Sequence, residues 1–269
     1  MTAALDPPRP HLRVVAEQTW ALTARATLAT ARNPANWLPG LIFPLVMAAV
    51  YAAQFADATR LPDFPEVDSF LQFILPSAIL QGISFNSANA GSDMATDIET
   101  GFFDRLISSP VARQSILVGR IGGAAASAAF QSVVLMGVFL AFGAPVKSGL
   151  LGAVALVIIS VLLGVALAGF GLMVALRTGS PEATQAMFPL IFVAIFVSSA
   201  FFPTELMKGW YQQVAEVNPI TLIINPTREL VITGWSWADF AQAVSLTILV
   251  AAVSLSLSYR AYLARLASS

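Results

Sequence analysis

Residue types that do chemistry are sparse in this chain. It has one histidine, His11, and no cysteine, which removes thiolate nucleophiles, disulfides and Cys-ligated metal sites. A lone histidine near the amino terminus lacks the partners that a metal site or a triad requires. The carboxylates Glu205, Glu216 and Glu229 stand among prolines and aromatics, with no spacing that pairs a general acid with a base. No GxxxxGKS/T loop occurs, so nothing here cradles nucleotide phosphates. The chemistry on offer is recognition, and it sits in three places.

The first place is GSDMATDIETGFFDRLISSPVARQSILVGR, residues 91–120. Thr96, Asp97 and Glu99 precede the apolar cluster Phe102, Phe103, Leu106 and Ile107, and Ser108-Ser109-Pro110 closes it. That order predicts a short amphipathic helix with a proline stop. Periodicity alone reads it equally as a docking helix or as an interfacial loop whose long side chains snorkel. The second place is the polar row Gln81, Ser84, Asn86, Ser87 and Asn89 inside an otherwise apolar run. Unpaired amides are costly in hydrocarbon, so these groups must face protein or a water-filled path, and interhelical bonding explains them as readily as a substrate path. The third is Phe188, Phe192 and Phe196 at intervals of four, with Gln185 ahead of them. Such a stripe suits stacking on flat lipophilic molecules, though packing on lipid or a neighbouring helix accounts for it more readily.

The elements that must carry these groups are membrane helices. Of the 269 residues 57% are hydrophobic and 11% charged, far below the ~25% charge of a soluble domain. Runs of about 20 apolar residues, enough to cross a hydrocarbon layer, fall at 37–55, 70–90, 116–142, 149–176, 186–202 and 240–259. They lack period-2 alternation, which predicts helices and not barrel strands. The expected fold is an all-α membrane protein: one transmembrane domain over 1–269, six transmembrane helices, an interfacial helix within 1–36 and an external re-entrant helix pair within 203–235. The opening residues contain no short apolar core, so no cleaved signal is expected. Arg13, Arg25 and Arg32 mixed with Val14, Trp20, Leu22 and Leu28 predict a helix on a membrane face that ends at Asn33-Pro34.

Positive charge orients the bundle. An inward amino terminus puts ten of the 14 Lys and Arg residues inside, among them Arg9, Arg105, Arg113, Arg120, Arg177, Arg260 and Arg265, and leaves Arg60, Lys147, Lys208 and Arg228 outside. Both termini are then cytoplasmic. The acidic loop Asp57, Asp63, Glu66 and Asp68 falls outside, and residues 91–115 fall inside. Pro203, Asn218-Pro219 and Asn225-Pro226 break the external segment into short helices, and Trp210, Tyr211, Leu222, Ile223 and Ile224 hold it at the outer interface. Gly119, Gly123, Ser127, Gly164 and Ala168 permit close helix packing. With 14 basic against 15 acidic residues and no basic run, nucleic acid is not an expected partner.

These features together resemble a type 2 ABC transporter permease, and within that family a daunorubicin-resistance type of drug exporter. The resemblance rests on Glu99, Gly101, Phe102, Phe103, Asp104, Arg105, Leu106, Pro110, Val111, Arg113, Gly119 and Arg120, supported by Asn218-Pro219 and Arg228. It implies that residues 91–113 couple to a separate ATP-binding subunit, with Glu99, Gly101, Phe102, Phe103, Asp104, Arg105, Leu106 and Pro110 at the contact. In that reading Phe102, Phe103 and Leu106 fill the motor's groove, Glu99, Asp104 and Arg105 form rim ion pairs, and Phe103→Ala loses transport while the chain still inserts. ATP and magnesium belong to the partner subunit and no cofactor to this chain. A second permease copy or a related permease completes the pair, in a bacterial inner membrane. A translocation path along Gln81, Ser84, Asn86, Asn89, Phe188, Phe192 and Phe196 is a further expectation.

The function expected from all this is ATP-driven export of drugs or other lipophilic small molecules, by a chain that is not itself an enzyme. The same architecture exporting a lipid or a lipid-linked glycan is an alternative. An ion-coupled secondary transporter is another, and it calls for acids near the middle of the spans, where the sequence places none.

Overall fold

A computed structural model describes residues 12–62 and 64–268; His11, Arg9 and Asp63 lie outside the described residues. The described residues contain helices and no strand. In chain order these are α1 (Leu12–Arg32), α2 (Pro34–Gln54), α3 (Phe70–Glu99), α4 (Phe102–Ile107), α5 (Arg113–Ala141), α6 (Gly149–Thr178), α7 (Pro181–Gln185), α8 (Met187–Phe196), α9 (Trp210–Val217), α10 (Pro219–Ile232) and α11 (Trp237–Ser268), with 3-10 turns at Ala56–Arg60 and Thr204–Leu206.

Local chemistry sets most boundaries. Asn33 is extended and Pro34 opens α2, so the chain breaks where Asn-Pro predicts. The Ser69 hydroxyl accepts from the Gln72 amide to cap α3, and Ser180 and Asn218 cap α7 and α10 ahead of prolines, each satisfying an N–H that the first turn leaves open. Gly101, at φ 68°, turns the chain between α3 and α4, a conformation that costs glycine nothing.

The spine of the bundle is α3, packed against α2, α5, α6, α10 and the short helices α4, α7 and α8. Phe73, Ile74, Leu75, Ile79 and Ile83 are buried along it, and so are Gln72, Ser77, Gln81 and Ser84. A helix sheathed by protein on all sides can carry polar side chains as long as its neighbours bond them. At one end Phe64, Phe70, Phe73 and Phe139 form the core; at the other Met94, Phe103, Leu172, Leu176 and Tyr262 do.

Four helices, α2, α5, α6 and α11, are long and apolar enough to cross a membrane. α3 has 30 residues but more polar ones than its companions. It also runs nine residues beyond the expected span end at Ala90, so the first part of the 91–115 segment is a continuation of α3 and not a loop. The run at 186–202 differs as well. It forms only the 10-residue α8 and then turns at Val197, which gives about 15 Å of helix, half a hydrocarbon layer.

The break after Phe196 has a physical cause. The last carbonyls of a helix lack partners unless something else donates to them. Here Tyr211 Oη donates to Phe196 O at 2.6 Å, and Asn218 Nδ2 donates to Ala194 O and Val197 O at 2.8 and 3.0 Å. Arg228 Nη2 donates to Ser199 O and Ala200 O at 2.7 and 3.2 Å. The segment expected to be external thus terminates the preceding helix.

Candidate functional site

The charged and aromatic segment 91–120 folds into a corner where α1, α3, α4, α5 and α11 meet. Small residues bring α1 onto α5: a Cβ on Gly119 would lie 2.6 Å from Leu22 Cβ, and one on Gly123 2.6 Å from Ala26 Cβ. Of the glycines expected at packing surfaces, Gly119 and Gly123 therefore serve α1, while a Cβ on Gly164 of α6 would lie 2.6 Å from Ala128 Cβ of α5. Gln18 on α1 then clamps the end of the α4 turn, its Nε2 donating to Pro110 O at 3.3 Å and its Oε1 accepting from Ala112 N at 2.9 Å. Thr19 Oγ1 reaches Ser115 Oγ at 3.0 Å.

Charges tie the same corner. Arg120 on α5 bonds Asp97 and lies 3.6 Å from Asp93, both on α3. Arg25 on α1 reaches Asp97 at 3.8 Å and sits 4.2 Å above the Phe102 ring. Partly buried pairs of this kind resist salt better than exposed ones.

On α4 the side chains divide differently from the sequence expectation. Phe103, expected to fill a motor's groove, points into the bundle. It is 1% exposed and meets Tyr262 edge-to-face at 6.2 Å, and Tyr262 Oη donates to Arg113 O at 2.6 Å. A six-residue helix has one buried face, and α11 occupies the space beneath it. Phe102 and Leu106 are half-buried, while Glu99, Asp104, Arg105 and Pro110 are exposed around the turn made by Gly101. An aromatic anchor under a charged outer face makes α4 a rigid projection with polar groups free to meet a partner.

The polar row of α3 serves its neighbours. Asn86 Nδ2 donates to Gln131 Oε1 on α5 at 3.3 Å, Ser87 Oγ to Gly164 O on α6 at 3.3 Å, and Asn89 Nδ2 to Asn36 O on α2 at 2.6 Å. Ser84 Oγ returns to Leu80 O. Gln81 Nε2 and Gln131 Nε2 are buried with no hydrogen-bond partner among the described residues. Three helices are thus held to α3 by side-chain amides and hydroxyls. Asn86 and Asn89 also border a cavity of about 20 Å³ with Asp93, Arg120 and Ser127, the size of a single water.

The phenylalanine stripe is part of a longer seam. Phe188 stacks on Phe85 of α3 at 4.4 Å, Phe192 approaches Phe43 of α2 at 5.9 Å, and Phe196 meets Phe201 at 4.9 Å, with Tyr51 of α2 4.9 Å beyond. Phe43, Phe85, Phe188, Phe192 and Phe196 are all half-buried, leaving an aromatic face along α2, α3 and α8. Phe43 and Phe85 were not singled out in the sequence, because nothing in their local spacing marks them.

Arg228, expected as an external charge, is 4% exposed. Its Nε donates to Phe73 O at 3.0 Å, Nη1 to Asn225 Oδ1 at 3.2 Å and Nη2 to Ser77 Oγ at 3.2 Å as well as to the two carbonyls after α8. The guanidinium also lies 3.9 Å from the Phe73 ring centroid. Beside it opens a cavity of about 720 Å³ lined by Glu66, Lys147, Glu205, Asn225, Arg228 and Glu229 among others. Burial pushes the Glu229 carboxyl up, and Asp239 adds to the shift while Arg228 opposes it.

Comparison with known proteins places this geometry. The family model described as ABC-2 type transporter matches residues 17–232. The daunorubicin resistance ABC transporter permease protein of Streptomyces coeruleorubidus is 26% identical over 225 residues, 82% of this chain and 76% of that protein. A Mycobacterium tuberculosis protein named as a probable doxorubicin resistance ABC transporter permease is 24% identical, over 82% of this chain and 79% of its own length. An Escherichia coli protein named as a probable multidrug ABC transporter permease is 28% identical over 62% of this chain and 45% of its length. With its helical bundle, its apolar helices and a family match over most of its length, the chain belongs to the ABC-2 type transporter family of membrane permeases.

Proposed function

We propose that this chain is the membrane half of an ATP-driven exporter, working with a separate ATP-hydrolysing subunit and a second permease, identical or related. The observation that carries the proposal is α4. Its aromatic Phe103 is anchored under the bundle while Asp104, Arg105 and Pro110 remain outside, and Arg25 and Gln18 brace it from α1. Movement of a partner against that outer face would pass as a rigid-body push into α3, α5 and α11, because all three are packed or bonded to α4 and its flanking turns. Coupling therefore runs through Glu99, Asp104, Arg105 and Pro110, with Gly101 as the joint and Phe102, Phe103 and Leu106 as the inward support.

The half-open aromatic seam of Phe43, Phe85, Phe188, Phe192 and Phe196 fits flat lipophilic molecules, since edge and face contacts between rings add to plain burial. Names given to the relatives, which cite daunorubicin, doxorubicin and multidrug transport, support the same class of cargo. Crossing would be sixfold if α3 and the α7–α8 pair span together with the four apolar helices, both termini lying on the cytoplasmic side of a bacterial inner membrane, with α9 and α10 dipping in from outside. Purifying the chain together with its ATPase and measuring ATP hydrolysis against a panel of lipophilic aromatic compounds tests the reading. Stimulation of wild type that Phe192→Ala weakens supports it; hydrolysis indifferent to every compound, or transport driven by an ion gradient without an ATPase, refutes it.

A further inference from the structure

Where α2 crosses α3 the two backbones touch, at a pair of glycines. A Cβ on Gly82 would lie 2.5 Å from Gly40 O and 3.0 Å from Gln131 Nε2, and a Cβ on Gly40 would collide with the same Gln131 Nε2 and lie 2.9 Å from Gly82 O. One group each from α2, α3 and α5 thus crowds a single point inside the bundle, and two of the three are unspent. Gln131 is 1% exposed; its Oε1 accepts from Asn86, while its Nε2 has no hydrogen-bond partner among the described residues. In an α-helix the Gly40 carbonyl is served by the amide four residues on, and that residue is Pro44, which has no N–H. A buried donor and a buried acceptor each cost stability when left unmade, and here they are neighbours that do not meet. The helix that carries the acceptor is built to bend at this place. Pro39 and Pro44 both lie inside α2 and remove two rungs of its ladder, while Asn89 Nδ2 ties its start to α3 through Asn36 O, which supplies a pivot. Phe43 of α2 faces Phe85 of α3 at 5.2 Å, and Phe85 Cβ is 3.3 Å from where a Gly40 Cβ would be, so a swing of α2 at Gly40 alters the opening between those rings.

We propose that α2 has a second position, in which Gly40 O accepts from Gln131 Nε2 and the Phe43–Phe85 pair is parted. The described arrangement keeps the glycine backbones in contact and leaves the donor unspent; the second gives up that contact for one buried hydrogen bond. Each position has what the other lacks, which makes the crossing a two-state element and not a continuously deformable one. It serves the aromatic seam as a gate: rings together close the space between α2 and α3, and rings apart admit a flat molecule. The proposal rests on the export reading only for what the gate serves, since the motion belongs to the chain alone.

Because the chain has no cysteine, Ile42→Cys, at an exposed position of α2, takes a single trifluoromethyl label, and fluorine NMR of the full chain in lipid nanodiscs then reads α2 without nucleotide or partner. Two resonances are expected on cooling, one for each position. Gln131→Met removes the donor, and Pro44→Ala restores the N–H that occupies Gly40 O. Each should lower the second resonance about fivefold, the worth of one hydrogen bond, and the two together should lower it no further, because they delete opposite ends of the same bond. A single sharp resonance at every temperature, a ratio that neither substitution moves, or two effects that multiply would overturn the proposal. A Gln131 that only holds the bundle together would change the unfolding temperature and leave the ratio alone. Pro44→Ala keeps the test decisive if Gln131→Met folds poorly, since alanine strengthens a helix that proline weakens. Failure of the export reading shows elsewhere, as an ATPase that does not co-purify, and leaves these spectra as they are.

Discussion

The two ends of the bundle fasten their charges in opposite ways. At the α4 corner, arginines meet carboxylates: Arg120 with Asp97 and Asp93, Arg25 with Asp97. At the far end, Arg228 meets no described carboxylate and is spent on backbone carbonyls, one hydroxyl, one amide and the face of Phe73. Ion pairs between separate helices tolerate small shifts because Coulomb attraction is weakly directional. A guanidinium bonded to fixed carbonyls is a geometric lock, since hydrogen bonds weaken steeply with angle. The first arrangement suits a lever that is pushed, the second a joint that holds broken helices in register.

Substitutions break that contrast at graded cost. The largest effect is expected for Arg228→Ala, which strands the carbonyls of Ser199 and Ala200 in the core, at about 3–5 kcal/mol. Thermal unfolding in detergent would read it, and Arg228→Lys should not restore it, because one ammonium cannot reach carbonyls on both sides. Phe103→Ala follows at about 3 kcal/mol from the lost ring and the cavity under α4, seen as proteolytic cleavage near 101–112 before global unfolding. An unaltered cleavage pattern would contradict the anchor role.

Asp104→Ala/Arg105→Ala should leave stability within about 0.5 kcal/mol of wild type and lower the affinity for the ATPase subunit by up to about tenfold, measured by titration of the purified subunits. The smallest effect belongs to Glu229. Its raised pKa means that the fold favours the protonated carboxyl, so the ionised form subtracts stability above the raised value and the loss disappears as pH falls towards the ordinary glutamate value of 4.5. Glu229→Gln should therefore stabilise at neutral pH by about 0.5 kcal/mol or less after screening, with no gain in acid. A gain that grows on acidification would reverse the sign.

Local breaks were the most legible features of the sequence. Asn33-Pro34, the α4 helix closed by Pro110 and the break at Asn218-Pro219 depend on neighbours in the chain, and a reader of the sequence has those neighbours. Asn218 shows the limit: its cap on Ile220 is local, but its bonds to Ala194 and Val197 join residues over twenty positions away. The end of α8 was invisible for that reason, since 186–202 is uniformly apolar and the donors that stop it come from α9 and α10. Phe103 was misdirected because a short amphipathic pattern shows that a face is apolar without showing what covers it. Arg228 was placed by charge alone, and its acceptors lie as far back as Phe73. Polar residues on α3 were recognised as needing partners, and the partners on α2, α5 and α6 came from the fold.

The central claim is that the outer face of α4 meets the ATPase. Because the chain has no cysteine, a photocrosslinker attached to Arg105→Cys or to Lys208→Cys reports from one place each, in membranes containing the assembled transporter. The account predicts a crosslink to the ATP-hydrolysing subunit from position 105 and none from position 208. A crosslink to that subunit from 208, or none from 105 in an active complex, would contradict it.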